Sequence, residues 1–229
     1  MLMSGGSLST IEKTPQPSRE TIDNSNHLIV EEMKYNKEEE KQNHDKWVKM
    51  LTSEQKGIYD EILDDVLNDK RGVFFVYGSG GRRKTFIWKT LSAGVRYKGM
   101  IVIDTASSGI ASLLLPSGKT AHSRFRIKIT LDDSTSCNMN PNDDVANLMD
   151  VASLIIWDEA PMMSKYCFKN LDRSLNNCIG KGCKKPFGGK VVVFGGDFRQ
   201  ILHVINGAGR AEIVLSSLMH LIYGSIARY

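Results

Sequence analysis

The sequence lacks the features of membrane, secreted and zinc-binding proteins. Its four cysteines, Cys137, Cys167, Cys178 and Cys183, include no C-x-x-C pair and have no histidines at zinc-ligand spacing, so reduced thiols are expected. No apolar run approaches the length of a transmembrane helix, and the N-terminus has no apolar block like that of a secretory signal. These absences predict a soluble, non-secreted chain with no membrane partner.

Composition and charge leave the class of partner open. The chain has 229 residues, 41% hydrophobic and 24% charged, which is ordinary for one globular domain with a tail. Residues 51–229 hold 23 Lys and Arg against 17 Asp and Glu, whereas residues 1–50 hold 7 against 9. Such an excess suits a polyanionic partner or an ordinary solvated surface. The sequence does not indicate an oligomeric state.

The first fifty residues differ from the rest. Residues 1–27 are rich in Ser, Thr, Asn and Pro without a hydrophobic period, which predicts a disordered tail. Residues 28–50 are strongly charged, which predicts a charged helical lead-in whose surface is solvated rather than partner-binding. Two oppositely charged pairs there have helical spacing: Lys34 with Glu38, and Asp45 with Lys49. The domain itself is expected to span residues 51–229.

Short apolar runs alternate with amphipathic stretches throughout that domain. The predicted strands are residues 73–77, 100–104, 154–157 and 191–194. The predicted helices run from a cap at Thr52 or Ser53 to about residue 67, from about 85 to 95, from 107 to 115, and around 166–179. This alternation predicts an α/β fold with a parallel sheet, helices on both faces, and ligands bound at the carboxyl ends of the strands. Residues 116–146 are polar and turn-rich and are assigned no element.

The first predicted strand leads into a phosphate-binding loop. The P-loop NTPase pattern G-x-x-x-x-G-K-[ST] matches at Gly78, Lys84 and Thr85. Such a loop turns its backbone N–H groups around a polyphosphate at the start of a helix, and glycines permit that turn. Lys84 is expected to bind the β and γ phosphates, and the Thr85 hydroxyl to bind Mg²⁺. The loop residues expected to contact nucleotide are Gly78, Ser79, Gly80, Gly81, Arg82, Arg83, Lys84 and Thr85.

Arg83 occupies the place where the pattern requires its second glycine. Its side chain lies where the backbone should approach phosphate closely, and the backbone strain is expected to cost about 1–3 kcal/mol. The positive charge of Arg83 partly offsets this cost by meeting a phosphate oxygen. We therefore expect weakened nucleotide binding rather than none.

Polar residues follow two later strands. Asp158 and Glu159 end the third predicted strand, where an aspartate can hold Mg²⁺ through water and a glutamate can act as general base. Gln200 follows the fourth strand and is placed to contact the γ-phosphate and the attacking water. Each has a simpler alternative, because strands often end in acids that face solvent and a turn amide can bond to backbone. Their position after a phosphate loop favours the catalytic interpretation.

Several of these motifs, in this order, carry a family resemblance. Residues 51–204 resemble the first motor domain of the superfamily-one, 5′-to-3′ DNA helicases of the petite-integration-frequency family, in its plant and transposon-related branch. The matching segments are LTSEQ (51–55), VFFVYG (73–78), KTFIWK (84–89), TASSGIA (105–111), TAHSRF (120–125), IIWDEAP (155–161) and GGDFRQ (195–200).

The resemblance implies a RecA-like domain of an ATP-dependent DNA helicase that uses ATP and Mg²⁺ to unwind DNA in repair, recombination and telomere maintenance, in the nucleus or the mitochondrion. It assigns Gln55 to the adenine edge. It also implies a track for single-stranded DNA, lined by Ser107, Ser108, His122 and Ser123, whose short donors suit phosphates. The alternatives remain that Ser107 is a helix cap and that His122 is a satisfied loop histidine.

The chain departs from the family at three places. Arg83 replaces a loop glycine, His203 stands where the family usually has proline, and no second motor domain precedes the end at Tyr229. The missing domain would carry an arginine that reaches the γ-phosphate, so strong turnover is not expected. A non-catalytic remnant that binds nucleotide or single-stranded DNA weakly is the main alternative. A small-molecule kinase with the same loop is disfavoured, since it leaves the helicase motifs unexplained.

Overall fold

The computed structural model describes residues 26–78, 81–180 and 185–197, with backbone alone for residues 81–83. Within these ranges, five parallel strands form one sheet with the order β1-β5-β4-β2-β3. They are β1 Val73–Tyr77, β2 Ile101–Ala106, β3 Lys119–Thr120, β4 Ala152–Asp158 and β5 Val191–Gly196. Every predicted strand is present, and β3 is additional. In the described part of the chain, no helix has the length and apolar character needed to span a membrane.

Helices cover both faces of the sheet, as predicted. They are α1 His27–Glu32, α2 Lys37–Val48, α3 Ser53–Leu67, α4 Gly81–Arg96, α5 Gly109–Ser112, α6 Ala121–Phe125, α7 Asp144–Val151 and α8 Lys165–Cys178. On one face, α3 and α4 bury Ile62 and Trp88 against β1, β2, β4 and β5. On the other face, α7 and α8 bury Leu148 and Phe168 against the same sheet. The result is the three-layer arrangement typical of doubly wound α/β domains.

Helix α3 begins where its sequence predicts. The Thr52 hydroxyl accepts from the Gln55 N–H, and the Gln55 side-chain oxygen accepts from the Thr52 N–H, so the two residues form a reciprocal capping box. The apolar stripe then places Ile58, Tyr59, Ile62 and Val66 in the core. This cap fixes the position of Gln55 at the start of the domain predicted from sequence.

The lead-in is helical, as predicted, and most of α2 is exposed, but one side packs against the rest of the protein, which the sequence did not indicate. Asn26 caps α1, so the predicted disordered tail ends before it. In α2, His44 lies 2.6 Å from the Tyr59 hydroxyl of α3, and the Trp47 ring meets Phe86 of α4 edge-on. Neither predicted ion pair forms among the described residues. Residues 26–50 therefore pack against the predicted domain, whose start at residue 51 stays a prediction.

The stretch between residues 116 and 146 contains real structure, contrary to expectation. It holds β3, α6 and the start of α7. Phe125 and Cys137 from this stretch are buried in the same core as Trp157. The elements are two to five residues long or only begin here, and such short segments show no helical or strand period.

A buried ionic network joins four elements of the fold. Arg124 of α6 pairs with Glu32 of α1, and Arg96 of α4 lies 3.0 Å from Asp104 of β2 and 4.0 Å from Glu32. All four side chains are at most 3% exposed. The Ser92 hydroxyl donates to Asp104 at 2.9 Å. Burial raises the pKa of Asp104 to about 7, against the opposing effects of Arg96 and Ser92.

Candidate functional site

The predicted site residues that the structure describes gather at one edge of the sheet. Because all strands are parallel, their carboxyl ends share an edge. Gly78 follows β1, Ser107 follows β2, Asp158 ends β4, and Asp197 follows β5. Gln200 and the loop residues Ser79 and Gly80 lie outside the described residues.

Lys84 is the centre of this cluster. It lies in the first turn of α4 and is 2% exposed. Its Nζ donates to the Gly78 carbonyl at 2.7 Å and lies 3.9 Å from Glu159 Oε1. The Gly78 N–H donates in turn to the Gly196 carbonyl at 3.4 Å, which ties the start of the loop to β5. The structure thus brings the predicted lysine and the predicted general base together across the sheet edge.

The loop differs from expectation at Arg83. A Cβ added to Gly78 would lie 3.6 Å from Lys84 Cγ, an ordinary contact, so space does not require glycine there. Helix α4 starts at Gly81 rather than near Thr85, so Arg83 has helical backbone. A residue with a side chain adopts that backbone without strain. The strain expected at Arg83 is therefore absent, and any effect must come from its side chain.

Asp158 and Glu159 occupy different environments. Burial raises the pKa of Asp158, while the Trp88 indole, the Glu159 N–H and the Lys84 ammonium oppose it. The Glu159 N–H donates to Asp158 Oδ1 at 3.0 Å. Glu159 has left-handed backbone, with φ 52° and ψ 34°, a conformation rare outside glycine and common at functional sites. Burial and the charge of Asp158 raise the pKa of Glu159, Lys84 lowers it, and Asp197 adds a smaller increase.

The two glycines that end β5 explain how this cluster packs. A Cβ on Gly195 would overlap Trp88 Cζ2 and would lie 3.0 Å from Asp158 Oδ1. A Cβ on Gly196 would overlap Pro161 Cδ. Both overlaps involve rigid rings, so glycine is needed for β5 to end against Trp88 of α4 and against the turn after β4. The Gly-Gly-Asp run therefore shapes the site as well as following a strand.

Asp197 is a site residue that sequence reasoning missed. It is 4% exposed, and its charge contributes to the raised pKa of Glu159. The signal was present in the run Gly195-Gly-Asp-Phe-Arg-Gln200, in which only Gln200 was assigned a role. An acid close behind a predicted strand is the informative feature, as it is at Asp158.

The donor set suits a magnesium ion held jointly with a nucleotide. No group of three or more His, Cys, Asp or Glu side chains in the described ranges could hold a metal by itself. Mg²⁺ in nucleotide sites takes one or two protein oxygens together with substrate phosphates and water. The Asp158 carboxylate and the Thr85 hydroxyl, both at most 9% exposed, are oxygen donors of that kind.

The four predicted DNA contacts form two groups with different environments. Ser107 Oγ accepts from Trp157 Nε1 at 3.0 Å, and Ser108 caps α5 by accepting from Ala111 N–H, so the cap is Ser108 rather than Ser107. His122 and Ser123 are exposed on α6, and His122 Nδ1 lies 3.2 Å from the Ile127 carbonyl. Pairing of β3 with the end of β2 brings the two groups side by side.

Gln55 stands apart from these groups. Its side-chain oxygen already serves the capping box of α3. The adenine role stays a prediction.

Comparisons with known proteins agree with this architecture. A solved Pif1 helicase from Bacteroides, in complex with ADP-AlF3 and ssDNA, superposes with a TM-score of 0.57 at 25% identity, over 74% of this chain and 39% of its own. The Pif1 helicase from Candida albicans gives a TM-score of 0.60 at 22% identity, over 77% of this chain and 39% of its own, and supports the fold alone. The sheet is therefore the RecA-like sheet of Pif1 helicases.

Sequence comparison identifies the family. The ATP-dependent DNA helicase PIF4 of Trypanosoma brucei brucei is 29% identical over 133 residues, which cover 56% of this chain and 16% of the relative. The chain thus spans about one sixth of that helicase. The family described as PIF1-like helicase matches residues 50–222, well over half of the sequence. The chain belongs to the PIF1-like helicase family.

Proposed function

We propose that this chain is a nucleotide-hydrolysing motor domain of an ATP-dependent DNA helicase, which unwinds DNA by acting on a single strand. The observation that carries the proposal is Lys84, buried between the Gly78 carbonyl and Glu159 at the carboxyl edge of a parallel sheet. A buried lysine at the first turn of a helix is a ready partner for a polyphosphate. The Bacteroides relative solved with ADP-AlF3 and ssDNA supports the same pair of ligands here.

Each site residue has a separate role in the proposed hydrolysis. Lys84 would exchange the Gly78 carbonyl for β and γ phosphate oxygens, and Thr85 and Asp158 would hold Mg²⁺, which would neutralise phosphate charge. Glu159 takes the proton of the attacking water, and its raised pKa improves it as a base near neutral pH. Gln200 orients that water and contacts the γ-phosphate. Gln55 contacts the adenine.

The nucleic-acid surface lies beside this site. Ser107, Ser108, His122 and Ser123 face the backbone of a single strand and bind it without reading sequence. Next to Ser108, the aliphatic side chains of Ile110 and Leu113 are more than 80% exposed, which is unusual for residues of this type and suits contact with bases. The positive excess of residues 51–229 favours a polyanion.

The biological setting is proposed from the motifs. The segments Thr-Ala-His-Ser-Arg-Phe125 and Ile-Ile-Trp-Asp-Glu-Ala-Pro161 support the plant and transposon-related branch of the family. Processes of repair, recombination and telomere maintenance, in the nucleus or the mitochondrion, follow from that placement. Translocation requires a second motor domain that closes on the same strand, and it supplies the arginine that completes the site.

The test is ATP hydrolysis by the purified chain with and without single-stranded DNA. We expect slow hydrolysis that single-stranded DNA stimulates severalfold and that EDTA abolishes. Binding of ATP and single-stranded DNA without any hydrolysis would instead support the alternative, a non-catalytic remnant. Failure to bind nucleotide at all would refute the proposal.

Arg83→Gly tests whether the arginine weakens nucleotide binding. Since the backbone there is helical, we expect the gain to come from removing the side chain, with affinity for ATP rising about tenfold. A glycine in the helix is expected to lower the free energy of unfolding by at most about 1 kcal/mol. Titration with a fluorescent ATP analogue measures the affinity.

Arg82→Gly is the matched control for this change. It removes the same charge and introduces the same glycine one residue earlier, where the loop pattern accepts any residue. We expect its affinity for ATP to stay within about twofold of the unmodified chain. Equal affinities for the two variants would show that Arg83 has no special effect.

A further inference from the structure

Trp88 is buried beside the proposed metal ligand and has an unused hydrogen-bond donor. It lies four residues after Lys84 on α4, so both side chains share one face of the helix. The indole is 0% exposed. Among the described residues, its Nε1 has no acceptor at ordinary hydrogen-bond distance and angle. A buried indole N–H without a partner is costly, and a phenylalanine would fill an apolar core without that cost.

The unused donor is close to Asp158. A Cβ placed on Gly195 would come within 3.2 Å of Trp88 Cε2, the ring atom bonded to Nε1, and within 3.0 Å of Asp158 Oδ1. The edge of the indole that carries Nε1 and the Asp158 carboxylate therefore both border the same small space beside Gly195.

We propose that Trp88 is the positioning residue for Asp158: when a divalent cation and a nucleotide bind, the indole N–H closes on the carboxylate, or on a water bound to it, and holds it in the orientation that ligates the cation. The inference rests on the proposed function. Residues that hydrogen-bond to a metal ligand fix its orientation, and their loss weakens metal binding about 10- to 100-fold. In this view, the N–H without an acceptor in the free protein gains one when the site is loaded.

The test is Trp88→Phe in the full chain, with affinity for a non-hydrolysable ATP analogue measured in Mg²⁺ and in EDTA, without DNA. The ratio of the two affinities is the gain that Mg²⁺ provides. We expect Trp88→Phe to reduce that gain about tenfold while affinity in EDTA changes less than twofold. The thermal midpoint of the metal-free protein is expected to stay level or rise, because an unpaired buried donor is removed.

Trp157→Phe is the matched control. Trp157 is also 0% exposed, and the substitution removes the same side-chain volume. Its Nε1, however, already donates a hydrogen bond to Ser107 Oγ. We expect it to lower the thermal midpoint and to leave the Mg²⁺-linked gain unchanged. If Trp88→Phe retains the full Mg²⁺-linked gain in affinity, the inference about Trp88 is wrong and the proposed function is unaffected. An unmodified chain that gains nothing from Mg²⁺ overturns the proposed function and this inference together.

Discussion

Glu159→Gln is expected to lower the rate of ATP hydrolysis about 10²- to 10⁴-fold while nucleotide binding persists. The carboxylate is 3.9 Å from Lys84 Nζ and 16% exposed, so it lies beside the proposed phosphate-binding lysine in a largely dry site. Burial and the charge of Asp158 raise its pKa, which makes it a stronger base than a surface glutamate. Glutamine keeps the shape and removes the base.

The measurement is single-turnover hydrolysis of radiolabelled ATP, with nucleotide affinity measured in parallel. We expect affinity to stay level or rise, because a negative charge near the polyphosphate is removed. Glu38→Gln, at an exposed position on α2, provides a control for the loss of a carboxylate and should leave the rate unchanged. A Glu159→Gln variant that keeps more than about a tenth of the rate would contradict the role of general base.

The sheet and the position of Lys84 could be predicted because their signals are local. A parallel strand buried on both faces is a continuous apolar run, as in Val191–Phe194, and the turn residues on either side mark its ends. Each strand then places the residue after it at the same edge. That geometric rule brought Lys84, Asp158 and Glu159 together without any knowledge of side-chain contacts.

Other features could not be predicted because they depend on partners distant in the chain. The Gly195 requirement arises from the Trp88 ring of another element, which no local pattern encodes. The strain assigned to Arg83 assumed a loop, and the helix begins earlier than the glycine pattern suggests. Sequence patterns locate helix ends less reliably than helices themselves.

Glu32 shows why a charged stretch of sequence does not always form a solvated helix. A charged stretch predicts a solvated helix, yet Glu32 pairs with Arg124, which is 92 residues away, inside the protein. Arg96 and Asp104 complete the network, with Arg96 also donating to the Pro116 carbonyl at 3.3 Å. The charges of two buried guanidinium groups are thus balanced by two carboxylates, one of which comes from α1. Removing one member of such a set leaves an uncompensated buried charge.

Glu32→Ala is therefore expected to lower the free energy of unfolding by about 3–5 kcal/mol, measured by urea denaturation. Its neighbour offers a matched control, since Glu31 pairs with Lys119 at 2.9 Å with both side chains at least 35% exposed. Glu31→Ala should cost about 1 kcal/mol or less, because solvent and salt screen an exposed pair. Equal losses for the two variants would mean that α1 is only attached at the surface. The expected difference between the two variants would show that α1 is an integral part of the folded domain, although it precedes the family match that begins at residue 50.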